Sequence, residues 1–401
     1  MNFLQFFIWG AWLISIGGYL GGTLKFSGVE IGAVFSTLGI ASLFMPAIMG
    51  IIADKWINAE RLLGICHFFG ALMLLWASTV TNPNVFFYVM LFNSMFYMPT
   101  IALNSTVSYI ILEQKGFDVV KDFPPIRVWG TIGFIAAMWI VDLFGWKSSH
   151  MQLVFSAVSS LALGFYAFTL PSCNPENSNQ NKSLASRLGL DALVLFKEGK
   201  MVVFFLFAMF LGAALQITNA FGNLFLDSFT LTHPDTFGVK HPIVLLSISQ
   251  MSETLFILTI PFFLKRFGIK KVMMISMFAW VLRFGLFSIG NPGNGLYLLV
   301  LSMIVYGMAF DFFNISGSLF VEKEVPSSYR ASAQGIFMLV TNGIGATLGG
   351  YGSGLVVDLF TKDGIRDWPA IWLCFAAYAL ILGLTFPFLF KYKHSASPAS
   401  R

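Results

Sequence analysis

The chain has 401 residues, 57% of them apolar and only 11% charged, with a mean hydropathy of +0.77 and a formal net charge of +5. A soluble domain carries about a quarter charged side chains, so a water-solvated core is excluded and lipid is the expected solvent. The 45 phenylalanines suit lipid-facing helices, and the 37 glycines suit the close helix contacts of membrane bundles.

A span needs about 20 mostly apolar residues to cross about 30 Å of hydrocarbon. Cut on that rule, the sequence predicts twelve spans, at 2–24, 29–53, 61–80, 84–112, 125–144, 149–170, 200–226, 242–264, 270–289, 296–318, 332–357 and 368–390. The first is too long for a signal-peptide core and lacks a basic segment before it, so it reads as a retained helix. His67, in the third span, reads as a packing histidine. The fifth span opens with KDFPPIRVWGTIGF, where Pro124 and Pro125 suit a helix start that Asp122 caps. It places Arg127, Thr131 and Phe134 at i, i+4 and i+7, one face with a cation, a hydroxyl and a ring. Snorkelling of Arg127 to the headgroups is the competing use of that cation.

Between the sixth and seventh spans stands the longest polar stretch, with PSCNPENSNQNKS, which divides a bundle at 1–170 from one at 200–390 through a cytoplasmic linker at 171–199. Within it, 184–196 has apolar residues at helical spacing and suits the membrane surface. A tail follows at 391–401. In the seventh span LQITNAFGN sets Gln216 and Asn219 on one face at i, i+3, and two amides facing lipid are expensive, so they face a cavity or a neighbouring helix. In the eighth, SISQMSETLF sets Gln250 and Glu253 on one face, with Glu253 near the midplane. A carboxylate there takes a proton, meets a ligand or pairs with a cation of another helix. The tenth span, YGMAFDFFNISG, carries Tyr306, Phe310 and Asn314 on one stripe, with Asp311 about 100 degrees away. That stripe serves helix packing or a binding site, and Asp311 has Arg283 of the ninth span as a possible partner.

The basic residues are distributed unevenly. With the N-terminus inside, seventeen of the 24 Lys and Arg fall in inside loops and five outside, leaving Arg127 and Arg283 within spans. That asymmetry puts both termini in the cytoplasm. Two short inside loops one half apart, GIIADKWINAERLL (Gly50 to Leu63) and FFLKRFGIKKVM (Phe262 to Met273), repeat a pattern of small or apolar residues followed by charges. They are similar to the paired loops of the major facilitator superfamily. Cys66, Cys173 and Cys374 are odd in number, widely spaced and without metal-ligand spacing, so they read as apolar filler. No metal, organic cofactor or nucleic-acid partner is implied.

The segments FMPAIMGIIADKW, DFPPIRVWGTIGF, LQITNAFGN, SISQMSETLFILTIPFF and IVYGMAFDFFNISGSLFVEKEV together resemble the bacterial nucleoside:proton symporters, and the similarity runs in order from Leu4 to His394. The resemblance implies an all-α membrane protein of twelve helices in two six-helix bundles, working by alternating access in the bacterial inner membrane. It further implies nucleoside contacts at Arg127, Thr131, Phe134, Gln216, Asn219, Gln250, Glu253, Tyr306 and Phe310, and proton coupling at Glu253 and Asp311. A neutral nucleoside fits these groups: amides and a carboxylate bind ribose hydroxyls, and rings stack on a base. A nucleotide would need more converging cations than two. The outer loop from Asp227 to His241 and the central linker match the family weakly.

Two rivals are a carrier of another neutral polar solute such as a sugar and a membrane sensor that binds without carrying. An enzyme acting on lipid-linked substrates would need a compact reactive cluster at one membrane face, whereas the polar residues here are spread over several spans at mid-depth. Superfamily members usually work as monomers, which is the default for this chain in its lipid bilayer.

Overall fold

A computed structural model describes residues 1–174 and 190–392, and these form twelve helical spans. The first, α1, runs from 2 to 23 as Asn2–Gly10, a looser turn, Ile16–Gly18 and a π-helical turn at Tyr19–Thr23. Then follow α2 (Gly28–Lys55), α3 (Ala59–Ala77), α4 (Pro83–Gln114), α5 (Val119–Leu143) and α6 (Met151–Ala167). The second half begins with α7 (Gly199–Asp227). One helical run, Ile248–Ile289, is broken at Gly268, which takes φ 75 and ψ 165, and so supplies both α8 (248–267) and α9 (269–289). The positive φ there is one that glycine adopts without steric penalty. The last spans are α10 (Leu296–Glu324), α11 (330–359, with a π-helical turn at Leu339–Gly345) and α12 (Trp368–Leu389). A hairpin of β1 (Thr361–Lys362) and β2 (Ile365–Arg366) joins α11 to α12, its turn made by Asp363 and Gly364 at positive φ.

The twelve expected spans are therefore present, with ends shifted by a few residues. Helix α5 starts earlier than expected: Asp118, not Asp122, is the N-cap, accepting from Val120 N–H at 2.9 Å. Asp122 instead accepts from Asp118 N–H at 3.0 Å, and Pro124 and Pro125 lie inside the helix. Of the expected linker, 175–189 lie outside the described residues, as do 393–401 of the tail. The described part of the surface segment, Leu190–Lys197, is a 3-10 helix docked on the second half, with Leu195 buried and Phe196 stacked on Phe205 at 5.1 Å.

Each half repeats one packing scheme. The start of α3 is tied to the segment that follows α6, where Glu60 accepts from Cys173 N–H at 2.9 Å. The loop before α9 is tied to the end of α12, where Lys270 Nζ donates to Pro387 O at 3.0 Å. These are the paired loops noted in the sequence, and each fastens its helix pair to the last span of its own half.

The halves meet along two seams. In one, α2 packs on α11 so closely that a Cβ on Gly28 or Gly32 would overlap the backbone of Gly354 or Gly350. Asp358 closes its end, accepting from the N–H groups of Gly28 (2.6 Å) and Val29 (2.8 Å) at the start of α2. That helix start also has its own capping box of Ser27 and Glu30. In the other seam, Trp139 Nε1 donates to Ser247 Oγ (2.9 Å), His241 Nδ1 lies 3.0 Å from Asp142 Oδ2, and Lys147 Nζ donates to the carbonyls of Val239 (3.2 Å) and Lys240 (2.8 Å). Asn223 Nδ2 adds a bond to Ser15 O at 3.1 Å. Among the described residues, every hydrogen bond between the halves lies toward the face opposite the termini. Among the described residues no hydrogen bond or salt bridge joins the halves on the side that carries the termini, so the polar ties between them lie on one face of the molecule only.

Candidate functional site

Between the halves, four helices of the second half present buried polar atoms that have no hydrogen-bond partner. They are Gln216 Oε1 and Thr218 Oγ1 on α7, Gln250 Oε1 on α8, Arg283 Nε on α9 and Asp311 Oδ2 on α10. A buried polar group left unpaired costs about 1–3 kcal/mol, so several converging on one region mark a place completed by something other than the chain's own side chains. A narrow recess reaches three of them, Thr218, Gln250 and Arg283, and is lined as well by Ile14, Asn219, Leu246, Ser249 and Tyr306. A second narrow space lies farther along α10, lined by Phe310, Asn314, Trp280 and Thr341.

The sequence-predicted residues divide accordingly. Asn219, Gln250 and Tyr306 share the first recess, and Phe310 lines the second. Tyr306 and Phe310 stack with 5.9 Å between centroids and 4° between planes, as their i, i+4 spacing anticipates. Neither space is lined by Arg127, Thr131, Phe134, Gln216, Glu253 or Asp311. Gln216 and Asp311 are buried, while Thr131 is half-buried on α5. Phe134 is buried against Trp9, edge to face at 6.2 Å.

Arg127 does not reach for the headgroups. Its guanidinium lies 4.0 Å from the centre of the Phe6 ring on α1. Across the divide between halves stands Glu253, half-buried on α8 and close enough for the two charges to interact. Among the described residues neither forms a salt bridge or a hydrogen bond, so the pair faces across a gap. Asp311 does not pair with Arg283 either: Arg283 Nη1 donates to Ser302 O (3.0 Å) and Ser249 Oγ (3.3 Å). His67 is held on both sides, Nε2 at 2.9 Å from Gln5 Oε1 and Nδ1 at 3.0 Å from Ser160 Oγ, which leaves it a packing role.

Sequence reasoning missed Thr218, Ser249 and Arg283 as lining residues. The signal for Arg283 was present, since an arginine within a span is a functional candidate by default. Its setting among serines and carbonyls depends on how α8, α9 and α10 pack.

Two six-helix bundles, tied to each other by hydrogen bonds on one face only, with incomplete polar groups and an unbridged charge pair between them, define a secondary transporter of the major facilitator fold. Residues 1–395 match the model of the nucleoside H+ symporter family, and the chain belongs to that family. It is 56% identical over 401 residues to the nucleoside permease NupG of Escherichia coli (strain K12), covering 99% of this chain and 96% of that one. It is 58% identical over 397 residues to the xanthosine permease of the same organism, covering 98% and 95%. The crystal structure of the nucleoside transporter NupG superposes with a TM-score of 0.93 at 56% identity, over 98% of each chain. The family read from the sequence segments is borne out, and the chain is a multi-pass permease, not an enzyme.

Proposed function

We propose that the protein carries nucleosides together with protons across the bacterial inner membrane by alternating access, with both termini in the cytoplasm. The observation that carries this reading is the set of unpartnered polar atoms on α7, α8, α9 and α10 beside a recess walled by Tyr306. A nucleoside supplies what such a site lacks. Its ribose hydroxyls both donate and accept, matching Gln216, Asn219, Gln250 and Glu253, and its planar base stacks on Tyr306 or Phe310. In this reading Arg127, Thr131 and Phe134 of the first half, which line neither space here, meet the ligand when the halves close, so a ligand spanning the Arg127–Glu253 gap favours their approach.

Glu253 and Asp311 are the proton-site candidates. A carboxylate buried in the bilayer is costly when charged and unpaired, so taking up a proton and closing over a neutral ligand stabilise the same occluded arrangement. Coupling is then differential binding to that state. The nucleoside and the proton are the proposed cargo of a monomer whose bundles are 1–170 and 200–390.

Labelled uridine uptake into proteoliposomes containing the purified protein, with an inward proton gradient imposed and then collapsed by an uncoupler, tests the reading. Accumulation above equilibrium that the uncoupler abolishes is expected. Uptake that only equilibrates would remove proton coupling, and no uptake of uridine or adenosine would remove the nucleoside.

A further inference from the structure

Arg283 is 2% exposed on α9 and has no acidic partner among the described residues, although breaking or lacking such a pair leaves a buried charge at a cost of several kcal/mol. What surrounds it is a set of neutral contacts that fix its plane. Nη1 donates to Ser302 O of α10 at 3.0 Å and to Ser249 Oγ of α8 at 3.3 Å, while Ser302 Oγ donates back to the Arg283 carbonyl at 2.9 Å. The guanidinium carbon sits 4.5 Å from the centre of the Tyr306 ring and 5.4 Å from that of Phe287. Tyr306 stands one helical turn beyond Ser302 on α10, so the bonds that hold the guanidinium also set its height against the ring. Trp280 meets the same ring edge-on at 6.0 Å and 88°, and Phe310 stacks alongside it.

From this geometry we propose that Arg283 is the positioning residue that fixes the tilt of Tyr306, and through it the preference of the recess for a flat ring. The inference rests on the nucleoside reading above. Arg283, Tyr306, Ser249, Gln250 and Asn219 line one recess, so guanidinium, aromatic wall and ligand meet in the same space. Arginine suits this task where lysine does not: its planar guanidinium stacks on an aromatic face while donating in its own plane to a serine and a carbonyl, and it cannot be deprotonated to escape burial. A lysine would keep the charge and lose the plane.

The test is a double-mutant cycle on uridine transport in proteoliposomes, reading KM and Vmax for wild type, Arg283→Lys, Tyr306→Leu and the double variant. Arg283→Lys is expected to raise KM about tenfold with Vmax within about twofold, since losing the planar stack and its in-plane hydrogen bonds corresponds to roughly that factor in affinity. In the Tyr306→Leu background it is expected to add nothing, because the ring it positions is gone. An unchanged KM in Arg283→Lys overturns the proposal, and so does a full tenfold effect that persists without Tyr306. If Arg283→Lys does not reach the membrane folded, Ser249→Ala replaces it in the cycle, removing one acceptor of Nη1. It is expected to raise KM about threefold, and only when Tyr306 is present; full additivity there overturns the proposal as well. Wild-type uptake measured in the same vesicles separates the two levels: without it the substrate class is wrong and the role of Arg283 falls with it, whereas normal wild-type uptake with an additive cycle removes Arg283 alone.

Discussion

The two halves share a packing scheme but treat their buried polar residues in opposite ways. In the first half Asn2, Asn104 and Ser108 bond to one another, and Gln5 joins Thr100, His67 and Tyr97 in a connected network. Trp9 Nε1, Asn104 Oδ1 and Asp142 Oδ1 are the described exceptions. In the second half Gln216, Thr218, Gln250, Arg283, Asp311 and Ser316 all hold unpartnered atoms. A satisfied network in lipid fixes helices against each other, while an unsatisfied one gains most from a ligand. Under the proposed function, the contrast gives rigidity to the first half and most of the ligand-reading chemistry to the second, with Arg127 the proposed charge from the first half.

The largest expected effect falls on the second half. Glu253→Gln, which keeps shape and removes the titrating group, should abolish uridine-driven proton flux into vesicles while leaving the folded protein intact. Coupled flux at the wild-type level would take Glu253 out of the proton pathway. Next in size, Gln250→Ala should weaken uridine binding about tenfold by calorimetry in detergent, the value of a hydrogen bond gained only when ligand is present. Gln5→Ala in the first half should do the reverse. It strands His67 and Thr100, so the folded protein should lose about 1–3 kcal/mol of stability, seen as a lower melting temperature, with KM for uridine unchanged in the fraction that folds. A raised KM at unaltered stability would erase the distinction between the halves.

The smallest effect is chemical. Beyond the end of α6, burial and the neighbouring Glu60 carboxylate push the Cys173 thiol up to about 11. Since only the thiolate is alkylated, labelling of Cys173 should be negligible at pH 8 and rise about tenfold per pH unit toward pH 11. Ready labelling at pH 8 would mean that this corner of the first half is less tightly packed than its Glu60 bond indicates.

Span number and approximate limits were legible because hydrocarbon thickness is a strict ruler, and Arg127 and Glu253 were legible because charge is rare in lipid. The faces were legible too, since Tyr306 and Phe310 stack as their spacing requires. What the sequence did not reveal depends on three-dimensional neighbours. Pro124 and Pro125 read as a helix start, yet Asp118 offers an earlier cap and the helix runs through them. The interruptions in α1 arise where it crosses other helices: a Cβ on Gly17 would overlap the Ala220 carbonyl, and one on Gly10 the backbone of Phe134. Arg283 had Asp311 as an open partner, and only the meeting of α8, α9 and α10 shows that serines and a carbonyl take that place.

Asp358 adds a point about repetition. The start of α2 has two caps, its own Ser27–Glu30 box and a carboxylate borrowed from α11 across the seam. A carboxylate at a helix N-terminus contributes about 0.3–1 kcal/mol, little enough to surrender when α2 and α11 part. Because the resident cap stays behind, the helix end does not fray while the borrowed one is away, and the same two N–H groups wait in place for its return. The seal can open and close through many turnovers without refolding any part of either helix.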